Sequence, residues 1–163
     1  MYVVELCHWL QDTAFATGLR QSDLLFPLIE GSHILALSVS VGLIITLDLR
    51  LLRLALCGEP VSRVMHQVMP WALSGFAVMF VTGLLLFVAQ AEKVYTNTFF
   101  RYKVLFLVIA GFNALYYQMK FYPKMVEWDL APAIPAGAKL TAAISLVLWA
   151  AIIALGRTMA YEL

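Results

Sequence analysis

Four stretches of this chain are each long and apolar enough to cross a bilayer, and that leaves few folds open to it. A hydrocarbon core about 30 Å thick takes about 20 residues of helix. The stretches run from about residue 24 to 47, 68 to 90, 104 to 119 and 140 to 156. The third is the shortest and is extended by Tyr102 on one side and by Tyr116, Tyr117 and Tyr122 on the other. In lipid every backbone polar group needs an internal partner, so such stretches form helices. Composition agrees: of 163 residues, 63% are hydrophobic and 13% charged, where soluble domains carry about 25% charged residues. The expected fold class is an all-α integral membrane protein. A four-helix transmembrane bundle forms one membrane domain over residues 1–163, preceded by a short interfacial amphipathic helix over residues 1–17.

That first helix places Val3, Leu6, Leu10 and Ala14 on one face and Glu5, His8 and Asp12 on another, with Gly18 expected to end it. Trp9 and Phe15 suit the headgroup level. Glu5 and Asp12, in place of a basic leading segment, argue against a cleavable signal peptide. Ser22 or Asp23 is expected to cap the first span, which extends through Leu56 until Cys57-Gly58-Glu59-Pro60 breaks it. Pro70 and Trp71 mark the interface at the second span, and the Pro-rich segment from Asp129 to Gly137 reads as a loop. Small residues at Ser38 and Gly42, Gly75, Gly83, Ala110 and Ala114, and Ala142 and Ser145 let helices approach closely.

Four spans put both termini on one side. That side holds five Lys/Arg residues (Arg20, Lys93, Arg101, Lys103, Arg157) against six on the other (Arg50, Arg53, Arg63, Lys120, Lys124, Lys139). The compact cationic hairpin Arg50–Arg63 tilts the balance toward termini outside. A net charge of +1 offers no basic block for nucleic acid. The cysteines, Cys7 and Cys57, are far apart and form no CxxC motif. No nucleophilic triad, phosphate loop or dinucleotide fingerprint is present, which argues against a classical enzyme.

Polar groups inside a span are costly and often functional. Glu30 and His33, three apart on the first span, share a helical face. A di-iron site would need a second such motif and further glutamates, which are missing. Trp149 is expected near the depth of His33 and Arg157 near that of Glu30, where the two would pair; Asn113 and Thr82 are candidates to hydrogen-bond the imidazole. His33, Glu30, Asn113, Trp149 and Arg157 are therefore the candidate cofactor-binding residues, with haem b or copper as the cofactor. The alternative is a polar lock that fixes helix register.

His66 is a second candidate metal ligand, set among Met65, Gln67 and Met69 at the opposite face. It lies about 20 Å from His33 along the membrane normal, too far for both to reach one iron. An interfacial histidine packed with methionines is the competing account. Cys7 and His8 point about 100° apart on a helix and make a poor pair for one metal.

The segments Leu25–Arg53 (LLFPLIEGSHILALSVSVGLIITLDLRLL), Met69–Phe87, Phe100–Ala114 and Ile144–Arg157 resemble a family of small four-span bacterial inner-membrane proteins without assigned function. A looser likeness, through the span histidine and the Asp-x-Arg exit, links them to CopD-type copper-resistance membrane proteins. The first resemblance implies an inner-membrane location and points to His33, Arg101, Lys103, Asn113 and Arg157. It also implies that relatives carry histidine where this chain has Gln118. The second implies metal or haem handling. Three functions stand against one another: a redox or metal-handling component, an accessory subunit assembling as a homo-oligomer or within a larger complex, and a small-molecule or ion permease.

Overall fold

The computed structural model describes residues 2–129 and 134–162. Four helices are long and apolar enough to span a membrane, so the chain is a multi-pass, all-α membrane protein. They are α3 (Leu25–Leu51), α4 (Val61–Ala89), α6 (Thr98–Lys120) and α8 (Ala136–Glu162). Shorter helices lie at their ends: α1 (Tyr2–Gln11), α2 (Ala14–Gln21), α5 (Ala91–Thr96) and α7 (Met125–Trp128). α3 packs along α4 on one side and against α8 on the other, and α8 packs along α6. The N-terminal face of the bundle carries α1, α2 and α5. The opposite face carries the α3–α4 loop and α7.

The N-terminal segment is two helices rather than one. Thr13 breaks it by capping α2, its Oγ1 accepting from Ala16 N–H at 3.3 Å, and α2 runs through Gly18 to Gln21. Ser22 Oγ accepts from Leu25 N–H at 3.0 Å at the start of α3. That helix stops at Leu51, short of the expected Leu56, because Arg53 and Leu56 adopt left-handed backbone (φ 61° and 52°). Leu54 N–H turns back to the Leu49 carbonyl at 2.9 Å, closing the helix as glycine commonly does. α4 begins before the expected span, so Pro70 lies inside it. Asn97 caps α6, its Oδ1 accepting from Phe99 and Phe100 N–H at 2.9 and 3.2 Å. Of the expected Pro-rich loop, residues 130–133 lie outside the described residues.

Small residues set the α3–α4 crossing. A Cβ on Gly75 would fall 2.1 Å from Ser40 Oγ and 3.5 Å from the Ala36 carbonyl, so a larger residue would have to displace the Ser40 hydroxyl. Further in, Trp149 stacks on Phe76 with ring centroids 5.5 Å apart and packs with Val41, Ala110 and Ile152. Toward the opposite face Leu47, Leu51, Val61, Met65, Tyr117 and Trp128 form the largest buried cluster.

Candidate functional site

His33 lies on the third turn of α3, where the helix faces Thr82 and Gly83 of α4. Its Nδ1 is 2.9 Å from Thr82 Oγ1. That hydroxyl already lies 2.7 Å from the Val78 carbonyl and 3.2 Å from the Met79 carbonyl. A hydroxyl has one proton, and a carbonyl can only accept it. When Thr82 gives that proton to its own helix it accepts from His33, an arrangement that puts the ring hydrogen on Nδ1. The Met79 carbonyl is a further acceptor for the same ring. In that tautomer Nε2 keeps its lone pair, and it has no hydrogen-bond partner among the described residues. The ring lies close to α4 because residue 83 is glycine: a Cβ there would be 3.1 Å from His33 Cε1.

Lys103 on α6 completes this corner. It is close enough for its charge to act on His33, and it runs beside Gly156 of α8, where a Cβ would be 3.4 Å from Nζ. An imidazole with a free nitrogen and an ammonium thus share the half of the bundle nearer the N-terminal face. This pair can donate to, or coordinate, an electron-rich or anionic group.

The remaining expected residues are distributed more widely. Glu30 is exposed on α3, and no ion pair joins it to Arg157. Arg157 turns to Tyr161, with Nη2 donating to the phenol oxygen at 3.1 Å and the guanidinium 4.9 Å from the ring centroid. The expected Glu30–Arg157 pair is thus replaced by a contact one turn along α8. Asn113 donates to the Thr141 carbonyl at 2.9 Å, bracing α6 on α8 rather than reaching the imidazole. Trp149 is taken up by its stack on Phe76. His66 is exposed near the start of α4, at the opposite face from His33. Among the described residues, no three His, Cys, Asp or Glu side chains come together. Arg101 is exposed and covers Tyr95, 5.3 Å from its ring centroid.

A second polar cluster, at the opposite face, was not singled out by the sequence. Asp48 and Arg50 are 6% and 5% exposed, although their position at the end of a span reads as an exit from the membrane. Asp48 hydrogen-bonds Ser145 and keeps a buried Oδ2 without a partner. Asp129 ties the α7 segment to the start of α4, accepting from Ser62 N–H at 2.9 Å and from the Ser62 hydroxyl. The missed signal is a periodicity: Ser40, Val41, Leu47, Asp48 and Leu51 are all buried on α3, at helical spacing.

A family profile matches residues 22–162, which takes in all four long helices and leaves out α1 and α2. The chain belongs to DUF6644, a family of unknown function. No curated protein and no solved structure matches the chain.

Proposed function

We propose that the chain is a redox component of a bacterial inner membrane, with His33 as the residue that would hold a haem and the N-terminal face outside. The observation that carries this reading is the Thr82 contact. A ligating imidazole characteristically donates its other N–H to an acceptor that fixes tautomer and orientation, and the 2.9 Å contact between His33 Nδ1 and the Thr82 hydroxyl suits that role. A single histidine nitrogen can hold a haem, which would supply one-electron chemistry when bound. Copper would call for further soft donors, so the donor set fits haem better. Lys103 provides a cation suited to a propionate carboxylate. The looser CopD likeness points toward metal and haem handling as well.

The test is the absorption spectrum of the full chain purified in detergent. A Soret band is expected, and it is lost in His33→Ala while helicity and elution volume stay unchanged. A folded, colourless and iron-free preparation, from cells supplied with haem, overturns the assignment.

An accessory subunit docked on another chain is the competing reading. Glu30 favours it: the carboxylate is exposed on a spanning helix and has no hydrogen bond or ion pair among the described residues, so a partner's donor would relieve its cost in lipid. On that reading a membrane protein co-purifies with the chain, His33→Ala leaves the association intact, and Glu30→Gln weakens it.

A further inference from the structure

At the face opposite His33, Arg50 keeps a buried donor without a partner among the described residues. Arg50 is 5% exposed. Its Nε–H donates to the Glu59 carbonyl at 2.6 Å, but Nη1 is buried and has no partner among the described residues. A buried guanidinium with an unsatisfied donor is costly, and such an atom is normally accounted for by a water or an ion. Arg50 also walls a cavity of about 90 Å³, together with Arg53, Cys57, Gly58, Glu59 and Asp129.

The two acids in that wall do not answer Arg50. Asp129 is engaged by the backbone and hydroxyl of Ser62. Glu59 holds Arg63, with Oε2 to Nη1 at 3.0 Å. No ion pair joins either carboxylate to Arg50 among the described residues. The wall thus combines a buried arginine with two acids already committed elsewhere.

We propose that this cavity binds a phosphate group, with the Arg50 guanidinium as its anchor and Arg53 as a second cation in the wall. The fork geometry of arginine matches phosphate oxygens. The cavity is far below the roughly 300–1,000 Å³ of sites for drug-sized ligands, so it takes a single anionic group rather than a whole metabolite. It lies where α3 ends and α4 begins, at the membrane face, where basic pockets meet lipid headgroups. The phosphate can therefore arrive on a lipid or from solution. This site is independent of the His33 reading, since the two lie at opposite faces and share no residue.

Cys57 provides a built-in reporter, because it is exposed in the cavity wall while Cys7 is buried. The rate at which a maleimide labels Cys57 is measured on the full chain, freed of lipid in detergent. Inorganic phosphate is expected to slow labelling severalfold relative to chloride at equal ionic strength. If the group comes on a lipid, free phosphate has no effect. Nanodiscs of phosphatidylglycerol then protect Cys57 and nanodiscs of a phosphate-free glycolipid do not.

Arg50→Gln, with helicity and elution volume intact, raises the half-protecting concentration roughly tenfold or more. Arg50→Lys keeps the charge, loses the fork and falls between the two; it is read in place of Arg50→Gln where the latter fails to fold. Absence of protection by both probes, or undiminished protection in the folded Arg50 variant, overturns the site.

Discussion

The two halves of α3 are similarly apolar and do opposite things. Every buried residue of this helix lies between Ala36 and Leu51, and none lies between Leu25 and Leu35. α4 repeats the asymmetry, with Val61, Val64, Met65, Val68 and Ala72 buried toward the opposite face and only Thr82 and Ala89 buried toward the N-terminal face. Hydropathy cannot explain the difference, because lipid tails are as apolar as leucine and reward no transfer into protein. Close approach and hydrogen bonding explain it. Gly75 meets Ser40 and Ala36 in the tight half, and Asp129 stitches the loops together there. The open half contains His33, Lys103 and the exposed Glu30. Polar side chains in the tight half hold helices together, whereas those in the open half remain within reach of something else.

The largest effect is expected from aromatic truncation. Trp128 is 8% exposed in the tight half, and Trp128→Ala is expected to cost about 3–5 kcal/mol. Leu28 is 60% exposed on the open half of α3, and Leu28→Ala is expected to stay within about 0.5 kcal/mol. Equilibrium unfolding in detergent measures both, and comparable losses would erase the distinction between the halves. Asp129→Ala comes next. It strips the start of α4 of the carboxylate that accepts from Ser62 N–H, and losing a cap of this kind costs about 1–2 kcal/mol. A loss below a few tenths would mean that the α7 segment is held by packing alone.

The fold was legible because four long apolar stretches leave little choice, and because Asn97 and Ser22 are residue types that favour helix starts. The end of α3 was not legible. Left-handed backbone at Arg53 and Leu56 is set by the tertiary turn rather than by residue type, since neither position is glycine or asparagine. Of the candidate site, His33 and its partner Thr82 were legible from span position and matching depth. Arg157 and Asn113 were assigned partners by depth alone, and depth ignores which way a side chain faces around its helix. That is why Arg157 is found on Tyr161 and Asn113 on Thr141. Asp48 and Arg50 escaped for the converse reason: charges at the end of a span read as solvated, and only the burial of Leu47 and Leu51 beside them places them inside.

The smallest expected effect addresses the open half directly. Thr82→Val keeps the shape of the side chain and removes the oxygen that His33 Nδ1 meets at 2.9 Å. Because the Met79 carbonyl remains as an acceptor, the loss of stability is expected to be about 1 kcal/mol or less. The ring should respond more than the fold. In the parent chain the imidazole is expected to hold its proton on Nδ1, since the Thr82 hydroxyl is 2.7 Å from the Val78 carbonyl and has no second proton to offer. Nitrogen-15 chemical shifts of a histidine-labelled sample report this tautomer, and Thr82→Val should shift population toward the Nε2–H form. A parent ring already protonated on Nε2 would mean that the nitrogen assigned to ligand binding is not free, and the haem reading would lose its ligand.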